Sequence, residues 1–159
     1  MRTLVTAFLT LVCVGAMEID VVENMPLIVA HRGASAQAPE NTLAAFREGF
    51  ALGADRIEGD FRITSDGQVV CIHDETTGRT TGDAHDLVVR DSVLAQLKHL
   101  DVGTWKDPKY ANEPIPTLEE VLQSIPAGKG AVIELKGGPL VSKPSALVVK
   151  ASGVGPDRL

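Results

Sequence analysis

Every β-strand that the sequence marks out ends in ionisable side chains, and this pattern limits the available folds more than any other feature. Residues 27–30 form a short apolar run (Leu-Ile-Val-Ala) that stops at His31-Arg32-Gly33. Residues 56–64 alternate and carry Glu58 and Asp60. Residues 68–73, rich in valine and isoleucine, lead into His73-Asp74, and residues 131–136 close on Glu134 and Lys136. Short apolar runs bounded by turn residues read as strands, the most apolar of them buried on both faces. Ionisable groups at such places are costly unless a site uses them. In sheets with helical crossovers, functional side chains gather at the carboxyl ends of the strands.

Helical segments alternate with these strands. Pro39-Glu40-Asn41-Thr42 opens one helix, with Asn41 or Thr42 as its cap; Leu43, Phe46 and Phe50 recur at helical spacing, and Gly53 ends it. Ser92 is the expected cap of a short helix carrying Val93, Leu94, Leu97 and Leu100. Thr117-Leu118-Glu119-Glu120 is a capping box, followed by Val121, Leu122 and Ile125 on the same face as Leu118. Residues 146–151 read as a further helix. The alternation predicts an α/β fold with a mostly parallel sheet.

One connection is too short for a crossover. Asp66-Gly67 reads as a two-residue hairpin turn, so the strands on either side should pair antiparallel. With Ser65 facing Gln68, that register places Asp60 opposite His73.

The first residues differ in character from the rest. Arg2, an apolar run over residues 4–14 and the small residues Val14-Gly15-Ala16 have the make-up of a secretory signal peptide, too short to span a bilayer. The expected layout is a signal peptide at 1–16, a linker at 17–26 and a folded domain from 27 to 159, in a secreted or periplasmic protein without a stable membrane anchor. Cleavage would remove Cys13 and leave Cys71 without a disulfide partner; its apolar setting marks it as a buried thiol. A net charge of −6, with no long run of one sign, gives no footprint for nucleic acid or anionic lipid. Positive charge for an anionic substrate must therefore be concentrated locally. The sequence holds no phosphate-binding glycine loop, Gly-x-Ser-x-Gly elbow or Cys-x-x-Cys pair.

Glu58 and Asp60, two apart on a strand, project from one face. Two carboxylates that close repel each other unless a cation or proton intervenes. Glu134 is a third candidate ligand, and an all-oxygen set favours Mg²⁺ or Ca²⁺ over zinc. A histidine beside such a site, His31 or His73, can act as general acid or base. Arg32 offers a planar fork to phosphate oxygens, and Lys136 a second positive charge. His85 and His99 have no ligand spacing and read as surface residues; Trp105 and Tyr110 read as packing or rim residues. Asp74 is either a group that orients a neighbour or an ordinary turn carboxylate.

Taken in order, these residues resemble the glycerophosphodiester phosphodiesterase family. The matching segments are His31-Arg32-Gly33, Pro39-Glu40-Asn41-Thr42 with Ala45-Phe46, Gly53-Ala54-Asp55, Glu58-Gly59-Asp60, Thr64-x-Asp66-Gly67 and His73-Asp74. Arg79-Thr80-Thr81, Ile115-Pro116-Thr117-Leu118 and Glu134-Leu135-Lys136 complete the series. The resemblance implies a β/α barrel of the phospholipase-C-like phosphodiesterase type that cleaves glycerophosphodiesters to glycerol 3-phosphate and an alcohol. By that likeness His31 and His73 are the acid–base pair, Glu58, Asp60 and Glu134 hold Mg²⁺ or Ca²⁺, and Arg32 neutralises the phosphate, with Lys136 as the second phosphate-binding cation read from its place at the strand end. Glu40 supports the site from behind, or caps the helix after it. A whole eight-stranded barrel needs about 200 residues or more, so the 159 here are expected to form roughly its first half, incomplete at the carboxyl end. Such a half would expose sheet edges and apolar faces. A lysophospholipase D or other phospholipase-type activity, or an inactive fragment keeping the fold, are the alternatives. The Asp66-Gly67 and Ile115-Pro116-Thr117-Leu118 segments favour the glycerophosphodiesterase reading.

Overall fold

β1 (Val29–His31), α1 (Leu43–Ala51), β2 (Arg56–Ile63), β3 (Val69–Cys71), α2 (Leu94–Lys98), α3 (Leu118–Gln123), β4 (Gly130–Leu135) and α4 (Pro139–Ser152) follow one another along the chain. They are seen in a computed structural model that describes residues 26–159. The signal peptide and all but the last residue of the linker lie outside the described residues. No helix among the described residues is long and apolar enough to cross a membrane.

β2 is the hub of the sheet. β4 runs parallel to it from Arg56↔Gly130 to Phe61↔Leu135, and β1 runs parallel to it from Val29↔Arg56 to His31↔Glu58. β3 pairs antiparallel at Phe61↔Cys71, Arg62↔Val70 and Ile63↔Val69. Since β4 occupies one edge of β2 as far as Phe61, β1 and β3 share the other.

Strand alternation sorts the two faces. Ile57, Phe61 and Ala131 point to one side, where Phe46 of α1, Leu118, Val121 and Leu122 of α3 and Val141 of α4 close a core over them. Burying each large apolar side chain there stabilises the fold by about 1.5–3 kcal/mol. The other face carries His31, Glu58, Asp60 and Glu134, with Val29 and Val132 exposed beneath them. The expected exposed apolar face is present. β3 is buried on both sides: Val69 and Cys71 join the first core, while Val70 and Ile72 join a second one with Val89, Leu97, Leu100, Val102 and Ile115. That explains a strand with no polar face.

Local signals set the helix starts. Thr42 caps α1, its hydroxyl accepting from Ala45 N at 3.2 Å. The capping box at α3 is complete: Thr117 Oγ1 accepts from Glu120 N at 3.2 Å, and Thr117 N donates to Glu120 Oε2 at 2.7 Å. Gly33 makes the turn after β1 possible. Its φ is +76°, and a Cβ there would lie 2.6 Å from the Ala45 carbonyl carbon, so no side chain fits between this turn and α1.

Five sequence expectations are corrected. The hairpin loop has three residues, not two: Thr64 N donates to Gln68 O, and Gly67 sits at φ +80°. Thr64 Oγ1 also donates to Asp66 Oδ1 at 2.6 Å and accepts from Gln68 N at 2.9 Å, which favours a turn closed by a left-handed glycine. The register therefore slips by one. Asp60 lies opposite Ile72, whose N–H donates to Asp60 O, and His73 is not opposite Asp60. β3 is correspondingly shorter than residues 68–73. Ser92 does not cap α2; its hydroxyl donates to Val88 O, and Val93 holds the cap position. α4 begins at Pro139, seven residues before the segment expected from sequence, because proline suits the first helical turn and the inward packing of Val141 and Ser145 outweighs the cost of Pro144 inside the helix.

Candidate metal and phosphate site

The parallel registers alone gather the acidic residues. Asp60 on β2 is the direct neighbour of Glu134 on β4, and Glu58 is the neighbour of His31 on β1. In-register neighbours project on the same face about 4.8 Å apart. One carboxylate oxygen from each of Glu58, Asp60 and Glu134 lies within 4.8 Å of the others. All three expected ligands are brought together.

Cations interleave with them. Arg32, at φ +57° in the turn after β1, donates its backbone N–H to Glu58 Oε2 at 2.9 Å. Its Nε lies 3.1 Å from Asp60 Oδ2, and its Nη1 donates to Glu40 Oε1 at 3.0 Å. Lys136 Nζ lies 2.6 Å from Glu134 Oε1 and 3.3 Å from Asp60 Oδ1. His31 Nε2 stands 3.8 Å from Glu58 Oε2, with its side chain 69% exposed. Despite these ion pairs, Glu58 Oε1, Asp60 Oδ1 and Arg32 Nε are buried without a hydrogen bond. Buried orphans are rare and call for a cause. Two acceptors and one donor left open at one spot are what a divalent cation and a phosphate would satisfy together, so the donor set fits a hard cation.

The electrostatics agree. Burial pushes the Glu58 carboxyl up, and the Asp60 charge adds to it, against the Arg32 N–H. Burial also opposes ionisation of Asp60, but the Asn41 amide and Arg32 outweigh it and hold that carboxyl low. The bond to Glu134 raises Lys136.

His73 takes another position. Its Nδ1 lies 2.7 Å from Asp74 Oδ1, and among the described residues no hydrogen bond or ion pair joins its side chain to the three carboxylates. It shares a cavity of about 10 Å³, room for one water, with Glu40 and Asn41. A larger cleft of about 320 Å³ opens beside Lys136, lined also by Arg62, Thr64, Arg90 and Leu140. Glu40 does not cap α1, whose cap is Thr42; its carboxylate accepts from Arg32 on one side and from Arg79 on the other. His85 and His99 are exposed, as expected, and Cys71 is a buried thiol whose pKa burial pushes well up. Trp105 Nε1 donates to Val102 O and Tyr110 Oη to Gln37 O.

Two residues have partners at the site that the sequence did not assign to them. Asn41 is buried at φ +58°, donating Nδ2 to Asp60 Oδ2 at 2.9 Å and accepting from Asp60 N at 3.1 Å. It looked like a cap; asparagine's tolerance of the left-handed region was the available signal. Arg79 bonds both Glu40 and Asp74; its segment Arg79-Thr80-Thr81 stood among those that carry the resemblance, but no role was read for it.

Fold and site together describe part of an α/β barrel with an acidic cluster and two cations at its strand ends. The glycerophosphoryl diester phosphodiesterase family matches residues 31–151, and the chain belongs to that family. Its parallel β1–β2–β4 sheet with helices on one face is a partial barrel of the family's kind. The chain is 48% identical over 112 residues to the putative glycerophosphodiester phosphodiesterase YhdW of Bacillus subtilis, covering 70% of this chain and 45% of that one. It is 48% identical over 113 residues to a glycerophosphodiester phosphodiesterase of Caldanaerobacter subterraneus, covering 70% and 46%. Among solved structures, an Oleispira antarctica phosphodiesterase in complex with the product sn-glycerol-3-phosphate superimposes with a TM-score of 0.73 at 39% identity, over 79% of this chain and 52% of that one. The chain spans about half the length of the relatives it matches.

Proposed function

We propose that this chain carries the reacting groups of a glycerophosphodiester phosphodiesterase, which hydrolyses a glycerophosphodiester to glycerol 3-phosphate and an alcohol. The observation behind this reading is the convergence of Glu58, Asp60 and Glu134 within 4.8 Å, with Arg32 and Lys136 among them. The sn-glycerol-3-phosphate bound by the Oleispira relative supports the substrate class.

Glu58, Asp60 and Glu134 would hold Mg²⁺ or Ca²⁺. Such an ion, when bound, polarises a phosphoryl oxygen and offsets charge that builds up at phosphorus. Arg32, held by Glu40 and Asp60, presents an already oriented guanidinium to the phosphate, so little rotamer freedom is lost on binding. Lys136 adds a compact charge from the opposite strand. His31 and His73 form the acid–base pair: one accepts the proton of the substrate's glycerol hydroxyl as it attacks phosphorus, and the other protonates the departing alcohol oxygen. With the roles exchanged, water then opens the cyclic phosphate to glycerol 3-phosphate. The cleft beside Lys136 gives that alcohol room.

An assay of the 159-residue chain with glycerophosphocholine tests this. Chelator should abolish turnover, and Mg²⁺ or Ca²⁺ should restore it. His31→Ala and His73→Ala should each lower turnover by about 10² or more with folding retained. Near wild-type activity in either variant removes that histidine from the pair, and chelator-resistant activity refutes the carboxylate site.

A further inference from the structure

Arg79 is the most fully bonded side chain at the rim of the site, and the chemistry above gives it no task. It is the second residue of a short 3₁₀ turn, Gly78–Thr81, which follows β3. Its Nη1 donates to Glu40 Oε2 at 2.9 Å, its Nη2 to Glu40 Oε1 at 2.8 Å and its Nε to Asp74 Oδ2 at 2.6 Å. All three guanidinium nitrogens are engaged, in the planar fork geometry that lysine cannot reproduce.

Each carboxylate it holds also touches a residue of the proposed machinery. Asp74 turns its other oxygen, Oδ1, to His73 Nδ1 at 2.7 Å. Glu40 Oε1 also accepts from Arg32 Nη1 at 3.0 Å. An isolated pair this exposed contributes little to stability. A five-membered chain from His73 through Asp74, Arg79 and Glu40 to Arg32 is better explained by orientation than by stability.

We propose that Arg79 is a positioning residue that selects the tautomer of His73: it clamps Asp74 against Glu40, so that Asp74 Oδ1 accepts the hydrogen bond of Nδ1–H and Nε2 is left bare for the substrate. An ionised carboxylate only accepts hydrogen bonds, and a neutral imidazole has a single N–H. A fixed, ionised Asp74 at 2.7 Å therefore requires that N–H to be on Nδ1. Asp74 is held ionised, its pKa lowered to about 2 by the Arg79 hydrogen bond, against some burial and with further help from His73. His73 then enters the reaction as the proton acceptor, which leaves the donor role to His31. This inference rests on the acid–base reading of His73.

Side-chain ¹⁵N spectra of the labelled 159-residue chain decide it, recorded where imidazoles are neutral and with the His73 signals assigned by their loss in His73→Asn. The wild-type chain should show His73 as the Nδ1–H tautomer. Arg79→Met, Arg79→Lys and Asp74→Asn should each move it toward Nε2–H, while the His85 and His99 signals stay in place. An Nε2–H tautomer in the wild-type chain, or an unchanged Nδ1–H tautomer in the folded Arg79 variants, overturns the proposal. Should Arg79→Met lose its dispersed amide spectrum, Arg79→Lys carries the decision. In the glycerophosphocholine assay, Arg79→Lys should lower kcat while KM stays within about twofold. A tautomer that follows Arg79, together with full activity in His73→Ala, would uphold the clamp and remove only the acid–base role.

Discussion

Asp60 and Glu134 are neighbours across one parallel register, yet they live in different surroundings. The Asp60 side chain is fully buried on the central strand, where it accepts from Asn41 and is flanked by Arg32, and the Asp60 backbone N–H donates back to the Asn41 amide oxygen. The Glu134 side chain is 50% exposed on β4, with Lys136 as its one ion-pair partner among the described residues. The β1–α1 turn thus builds one half of the acidic site before any ligand arrives. The other half is placed by strand register alone. A site made this way has a rigid wall and an adaptable wall, and the two should respond differently to substitution.

Asn41→Ala should break the rigid wall with the largest effect. It orphans the buried Asp60 N–H and forces an alanine into the left-handed region, together costing about 3 kcal/mol. Urea denaturation measures this; a loss below about 1 kcal/mol would mean that Asp60 is held by its strand and Arg32 alone. Glu134→Gln should leave stability within about 1 kcal/mol, as for an exposed pair. It should nevertheless weaken Mg²⁺ or Ca²⁺ binding by about tenfold or more, read by calorimetry. Equal losses of stability in the two variants would erase the contrast between the walls.

The smallest effect concerns the half-buried carboxylate beside His73. Asp74 titrates at about 2 in the folded chain against an ordinary 3.8, so its contribution is present above the ordinary value and is lost as pH falls toward 2. Thermal unfolding of Asp74→Asn should differ from wild type at neutral pH, and the two should converge across that window. The exposure of Asp74 and Arg79 keeps the difference modest. A gap that widens with acid would reverse the assigned shift.

Much of this was legible along the chain. The two-residue spacing of Glu58 and Asp60 places both on one face wherever β2 forms. The capping box at Thr117 and the apolar spacing of α1 are local events, decided within a few residues, and both formed as read. Cys71 is buried as its apolar neighbours implied.

Other features needed the assembled molecule. A turn one residue longer than Asp66-Gly67 suggested moved His73 away from Asp60, because the Thr64 hydroxyl bonds Asp66 and Gly67 takes the left-handed step. α4 runs through Pro144 because Val141 and Ser145 find a core to enter, a gain that no local propensity records. The Asn41–Asp60 pair and the Arg79 clamp join residues far apart in sequence. Periodicity and capping are properties of neighbouring residues, so the amino-acid order by itself determined which side chains stand at the strand ends. Which of those ends meet, and which are held rigidly, depends on strand register and on charges brought together from distant segments. Those terms take a value only once the chain has packed.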